Sequence, residues 1–94
     1  HYRIGDLFVY AGTGPTELVP REVPLVAVEI VSPDDRYEDL MTKLAEYEAW
    51  GVRHIWLADP GLRRLAVYAQ GSLNAVEAFE LPEYGLRIEG GAIL

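Results

Sequence analysis

The feature that most constrains this chain is the apolar stretch from Pro24 to Pro33, with the sequence PLVAVEIVSP. Glu29 alone interrupts the apolar run within it. A run of this length, rich in valine and closed by Ser-Pro, is typical of a strand buried on both faces. Because side chains alternate along a strand, Glu29 is predicted to share a face with Ala27 and Val31.

A charged group at the position of Glu29 needs compensation. An unpaired carboxylate in an apolar setting costs roughly several kcal/mol, or it takes up a proton. A cation, a metal ion or a second acid that shares a proton would each satisfy it. One of these alternatives is a purely structural ion pair with an arginine, for example Arg3 or Arg53.

Length and composition indicate one small globular domain, which we expect to cover residues 1–94. Half of the residues are hydrophobic and 24% are charged, which is not the composition of a disordered chain. The absence of cysteine excludes disulfides and thiolate metal sites, and a cytoplasmic location is expected. No apolar run is long enough to span a membrane. The net charge of −7 argues against a simple basic nucleic-acid binder, so contact with DNA would require metal ions or a local positive patch.

Several further elements surround the central strand. Arg3–Ala11 is predicted as a strand and Gly12–Val23 as a loop, which together favour an antiparallel pair with the central strand. A helix is predicted over 36–50, with a capping box of Asp35 and Glu38 at its start and Gly51 at its end.

The second half of the chain is predicted to be mostly strand. Arg53–Ala58 reads as a strand that would run parallel to the central one after the helical crossover. Arg63–Gln70 and Asn74–Leu81 are predicted to form a hairpin about Gly71-Ser72, and Leu86–Leu94 is predicted to contain one short strand. The fold class is therefore α/β, with a mixed sheet, one main helix in a strand–helix–strand crossover, and a following β-hairpin.

Three side chains of this fold are candidates for chemistry. In an antiparallel pair, the start of the first strand lies beside the end of its partner, so Asp6 and Glu29 are predicted to converge. Their carboxylates, with the backbone carbonyl of Ile30, would form an oxygen-rich site for Mg²⁺ or Mn²⁺. Lys43, which is the single lysine, lies at the edge of the apolar stripe of the helix and could reach both acids. Asp6 could equally be a turn residue, and Lys43 a solvated helix lysine.

Two aromatic residues receive structural interpretations. His54, next to Trp56 in a predicted strand, is expected to be packed or exposed rather than to act as a general base. Tyr47 is expected to pack against neighbours rather than to stack on a nucleotide.

The order and spacing of these motifs resemble the Uma-two family of restriction endonucleases, within the PD-(D/E)XK nuclease superfamily. The resemblance rests on RIGD at 3–6, PLVAVEIVSP at 24–33, DLMTKLAEY at 39–47, GV at 51–52 and IWLADP at 55–60. It implies a restriction-endonuclease-like fold and a metal-dependent hydrolase that cleaves DNA.

The resemblance also implies a role for each candidate. Asp6 corresponds to the first acid of the superfamily motif and Glu29 to the second. The lysine that normally follows the second acid by two positions is replaced by Val31, and Lys43 of the next helix is implied to supply the amine.

The chain also departs from the family pattern. The family has an N-terminal helical region and further strand, so we expect this sequence to be N-terminally truncated. The alternative function is a catalytically silent nuclease-fold module for interaction or dimerisation, with the predicted hairpin as its edge, and a homodimer is a further expectation.

Overall fold

The computed structural model describes residues 6–10 and 23–94, and of Asp6 it describes the backbone alone. Within these ranges the chain forms seven strands, one long helix and two short helical turns. In chain order they are β1 (Asp6–Val9), β2 (Val26–Ile30), α1 (Tyr37–Trp50), β3 (His54–Asp59), β4 (Arg64–Ala69), β5 (Ser72–Val76), β6 (Ala78–Leu81), a 3-10 turn (Pro82–Tyr84), β7 (Leu86–Glu89) and α2 (Gly90–Ile93).

The first five strands form one mixed sheet in the order β1-β2-β3-β4-β5. β1 is antiparallel to β2, β2 is parallel to β3, and the remaining neighbours are antiparallel. The connection from β2 to β3 contains α1, so the predicted strand–helix–strand crossover is confirmed. β6 and β7 form a second, two-stranded sheet.

β2 is buried on both sides, as its sequence predicts. Val26 and Ala27 are fully buried but belong to different apolar clusters. Ala27 packs with residues of β3, β4 and α1 on what we call the helix face of the sheet. Val26 packs on the opposite side with Trp56 and with Phe79 of β6. We call this side the hairpin face, after the antiparallel pair of β6 and β7. The central strand thus separates two cores.

The bounds of α1 lie close to the prediction. The helix begins one residue later than expected and ends at Trp50 as expected. Gly51 follows with a φ of 103°, and its N–H donates to the carbonyls of Tyr47 and Glu48 at 3.2 and 3.0 Å. A left-handed glycine at this position satisfies carbonyls that the helix leaves without partners, which confirms the predicted stop.

The predicted capping box is wrong. Arg36 is the residue before the first turn of α1, and no side chain caps this end of the helix. Oδ2 of Asp35 instead accepts a hydrogen bond from the N–H of Ser32 at 2.8 Å. The carboxylate therefore stabilises the turn that leaves β2.

The hairpin of β4 and β5 turns one residue earlier than predicted. Ala69 pairs with Ser72, so Gln70 and Gly71 form a two-residue turn with φ values of 52° and 81°. Two successive positive φ angles match the right-handed twist of the flanking strands.

The prediction of one continuous strand over Asn74–Leu81 is wrong. The strand divides at Glu77, and the second part leaves the large sheet to pair with β7. The bend lets Phe79 stack on Trp56, with ring centroids 4.4 Å apart and planes 5° apart. Adjacent apolar residues at Ala78 and Phe79 break the alternation of a single strand, and this was the signal in the sequence.

The remaining predictions are either confirmed or concern residues outside the described ranges. The short strand expected within Leu86–Leu94 is β7, and a helical turn follows it. Predictions for residues 3–5 and 11–22 lie outside the described part of the chain, including most of the Gly12–Val23 loop. Among the described residues, no helix combines the length and apolar character needed to cross a membrane.

Candidate active site

Glu29 lies on β2 with a side chain that is 0% exposed, and it is the buried charged residue of the described core. Ala27, two positions before it, packs on the helix face, and strand alternation directs Glu29 to the same side. The carboxylate therefore sits between the sheet and α1. A group this deeply buried is tolerated when hydrogen bonds and positive charge compensate its lost hydration.

Tyr47 provides one of these hydrogen bonds. Its hydroxyl donates to Oε1 of Glu29 at 3.1 Å, and its side chain is only 7% exposed. Phe8 of β1 contacts the Tyr47 ring edge to face, with centroids 5.7 Å apart. Tyr47 therefore packs, as predicted, and it also binds the acid, which the sequence reasoning missed. Its spacing of one helical turn after Lys43 was the available signal, because residues four apart share a helix face.

Lys43 supplies the positive charge. Its Nζ lies 3.4 Å from Oε2 of Glu29, and its side chain is 30% exposed. The amine of this partly exposed side chain reaches from α1 to the buried acid. The structure thus brings together a buried acid from a strand and a cation from the following helix, 14 residues further along the chain.

Asp6 lies directly opposite Glu29 in the antiparallel ladder of β1 and β2. This register brings the two backbone positions together, as the sequence predicts. Ile30 follows Glu29 as the last residue of β2 and pairs with Ala58 of β3. The side chain of Asp6 lies outside the described part, so its contacts are not part of this geometry.

Arg53 and Arg3 are the two arginines that the sequence suggests as structural ion-pair partners for Glu29. Arg53 lies 3.6 Å from Glu83, so its ionic contact is with a different acid. Arg3 lies outside the described residues. Among the side chains that the structure describes, no three acidic or histidine residues lie close enough to hold a metal ion.

His54 lies on the other side of the sheet from this group. It precedes Ile55, which packs on the helix face, and it therefore shares the hairpin face with Trp56. Its Nε2 lies 2.8 Å from Oε2 of Glu83. This hydrogen bond is the main reason that the pKa of Glu83 falls below its ordinary value of 4.5, with a backbone hydrogen bond and Arg53 adding to the effect.

Comparison with known proteins gives two matches that agree. The model of the Uma2 (Uma-two) family, described as "Putative restriction endonuclease", matches residues 1–88. A crystal structure from Anabaena variabilis, described as "a putative nuclease belonging to DUF820", matches with a TM-score of 0.63 and 21% sequence identity. The match covers 74% of this chain and 43% of that chain, so the present chain corresponds to less than half of the solved protein.

A comparison with curated proteins finds no match. Because the sequence identity is low, the structural match establishes the fold alone. The family match extends over nearly all of the chain and includes Asp6, Glu29 and Lys43. The chain belongs to the Uma2 family of restriction endonuclease-like proteins and has its nuclease-like α/β fold.

Proposed function

We propose that this chain carries the active site of a metal-dependent endonuclease that hydrolyses phosphodiester bonds of DNA. The observation that carries the proposal is the fully buried carboxylate of Glu29, which contacts the Tyr47 hydroxyl and the Lys43 amine while Asp6 lies opposite it in the ladder. Membership of a family described as restriction endonucleases supports DNA as the substrate.

The donor set fits a hard divalent cation such as Mg²⁺ or Mn²⁺. Carboxylate and carbonyl oxygens are the ligands such ions prefer, and Asp6, Glu29 and the Ile30 carbonyl would supply them. A carboxylate has about four lone-pair sites on its two oxygens, so Glu29 can accept from Tyr47 and Lys43 and still coordinate an ion. When bound, the ion would lower the pKa of a water molecule and neutralise charge on the phosphate.

Lys43 and Tyr47 have separate roles in this proposal. The Lys43 ammonium positions the attacking water and stabilises the negative charge that grows on the phosphate oxygens. Tyr47 is a positioning residue, because its hydrogen bond fixes the orientation of the Glu29 carboxylate. The water oxygen forms a new bond to phosphorus, the bond to the leaving sugar oxygen breaks, and the proton lost by water balances the one that the leaving oxygen gains.

A catalytically silent interaction module is the second candidate. The favouring observation is that Glu29 already has donors from within the chain, so the group could be purely structural. β5 lies at an edge of the five-stranded sheet and could serve as the interface.

Nicking of supercoiled plasmid with Mg²⁺ or Mn²⁺ tests the proposal. We expect the wild-type chain to nick the plasmid, and Glu29→Gln and Lys43→Met to lower the rate by at least about 100-fold. Glu46→Gln is the matched control, since Glu46 is an exposed acid on the same helix. Cleavage that survives Glu29→Gln, or that is absent from the wild type with both metals, would exclude the endonuclease and favour the module.

A further inference from the structure

We propose that Arg63, in the turn between β3 and β4, and Arg64, the first residue of β4, bind the phosphate backbone of duplex DNA beside the Glu29 site. The inference rests on the proposed function, which requires a polyanion to approach a chain with a net charge of −7. Such an approach requires a local positive surface, because phosphate binding depends mainly on arginine and lysine.

Arg63 and Arg64 differ from the other described arginines in their ion pairing. The three other arginines in the described ranges, Arg36, Arg53 and Arg87, each lie against a glutamate. Arg63 and Arg64 are exposed, and within the described part of the chain neither has an acidic side chain inside 4.0 Å. Their guanidinium groups therefore retain their hydrogen-bond donors for a ligand.

The turn that carries Arg63 and leads into Arg64 is held in a defined shape. Oδ1 of Asp59 accepts a hydrogen bond from the N–H of Leu62 at 3.1 Å. The N–H of Arg63 donates to the carbonyl of Pro60 at 3.3 Å. Arg63 has a φ of 53°, a left-handed conformation that disfavours residues with a side chain. Strained backbone of this kind persists where the surroundings fix it, and it clusters at functional sites.

The register places this turn at the same end of the sheet as the buried acid. Glu29 pairs with Leu57, and Leu57 pairs with Ala66. Arg64 comes two residues before Ala66 in β4, and it therefore lies toward the end of the sheet at which β2 and β3 finish. Strand spacing and rise put the backbone of Arg64 about 12 Å from that of Glu29. Tyr68 packs on the helix face, and alternation along β4 assigns position 64 to that face as well.

A hollow of about 380 Å³ lies on the helix face beside Arg64. Its lining includes Leu57, Asp59 and Arg64 from the sheet and Leu40 and Met41 from α1. Each strand of duplex DNA carries one phosphate for roughly every 3.4 Å of helix axis, so a duplex with one phosphate beside the Glu29 site would present another phosphate of the same strand within about 12 Å. Arginine is suited to this contact because its planar guanidinium binds phosphate through two parallel hydrogen bonds.

The test measures DNA binding without cleavage. Fluorescence anisotropy of a short labelled duplex is followed in EDTA over a series of salt concentrations, for the wild type and for Arg63→Gly/Arg64→Gln. Glycine tolerates the left-handed conformation, so the double variant removes charge without adding backbone strain. We expect about tenfold weaker binding or more. The slope of log K against log salt should also fall by about 1.8, which is about 0.9 for each lost phosphate contact.

A second double variant, Arg53→Gln/Arg87→Gln, changes the net charge equally at arginines that are already paired. We expect this control to bind almost as the wild type does. Equal weakening by both double variants, unchanged binding in Arg63→Gly/Arg64→Gln, or no salt-dependent binding by the wild type would each overturn the inference. Binding that depends on the turn, in a chain that never nicks plasmid, would support the inference and refute the endonuclease.

Discussion

The hydroxyl of Tyr47 lies 3.1 Å from Oε1 of Glu29, and both side chains are buried where α1 packs on the sheet. This contact joins a helix to the charged position of the central strand, 18 residues apart in the chain. The Glu29 carboxyl group therefore obtains one hydrogen-bond donor from the packing of the helix. Stability and the geometry of the candidate site should change together when this contact is altered.

Tyr47→Phe should destabilise the fold by about 1–3 kcal/mol, because a buried carboxylate loses one hydrogen-bond donor. The aromatic ring remains, so the contact with Phe8 is kept. Urea unfolding should show a lower midpoint with an unchanged slope. Tyr68→Phe is the matched control, since Tyr68 is 6% exposed against 7% for Tyr47. Equal losses in the two variants would mean that the contact with Glu29 is not what stabilises the fold.

The pairing of Lys43 with Glu29 should appear as a coupling energy in a double-mutant cycle. Removal of one partner from a fully buried pair costs about 3–5 kcal/mol. Lys43 is 30% exposed, so solvent screening should reduce the cost of Lys43→Met to about 1–3 kcal/mol. With Glu29→Gln already present, the same change should cost less, which gives a coupling energy of about 1 kcal/mol or more.

The matched cycle uses Arg36 and Glu38, whose side chains are 76% and 84% exposed and lie 3.8 Å apart. Exposed pairs of this kind contribute between about 0 and 1 kcal/mol. A coupling energy for Lys43 and Glu29 no larger than that of the exposed pair would refute the idea that burial strengthens the contact.

The sequence predicted the central strand, the helix and their parallel crossover because each has a strong periodic signal. The apolar run of PLVAVEIVSP, interrupted by Glu29 alone, predicts burial on both faces, and a glycine follows the last helical residue. The pairing of Asp6 with Glu29 in the ladder and the contact of Lys43 with Glu29 followed from topology together with the family resemblance. The lone lysine lies on the same side of the sheet as Glu29, which is the arrangement that the hypothesis required.

The parts that the sequence did not predict depend on contacts between distant segments. The division of the last strand at Glu77 reflects the stacking of Phe79 on Trp56, 23 positions away in the chain. The carboxylate of Asp35 accepts from the N–H of Ser32, a contact that the spacing of Asp35 and Glu38 does not predict. The hydrogen bond of Tyr47 was missed because an apolar ring predicts packing equally well whether or not its hydroxyl has a partner.

Glu83 provides a prediction of pH dependence. Its pKa lies below the ordinary value of 4.5, mainly because of the hydrogen bond with His54. The folded state therefore favours the ionised acid. This stabilisation is complete above the unfolded-state pKa and is lost as the pH falls through the lowered folded-state pKa.

His54→Ala should move the midpoint of the Glu83 carboxyl titration upward toward 4.5, as measured by carbon-detected NMR. Arg53→Ala should produce a smaller upward shift, since the charge of Arg53, 3.6 Å away, is the weakest of the lowering causes. A larger effect from Arg53→Ala would reverse the order of causes, and an unchanged midpoint in His54→Ala would exclude the histidine as the main one.

Divalent metal should raise the thermal midpoint of the wild-type chain if Asp6 and Glu29 coordinate it. A ligand that binds only the folded state at about ten times its Kd stabilises by about 1.4 kcal/mol, which for a domain of this size corresponds to roughly 5–10 °C. Differential scanning fluorimetry with Mg²⁺ or Mn²⁺ measures the shift without any cleavage. Glu29→Gln should remove the shift because the ligand loses its charge, whereas Glu46→Gln should retain it. A shift that persists in Glu29→Gln would place the metal elsewhere in the chain, and the catalytic role of the buried acid would then lose its physical basis.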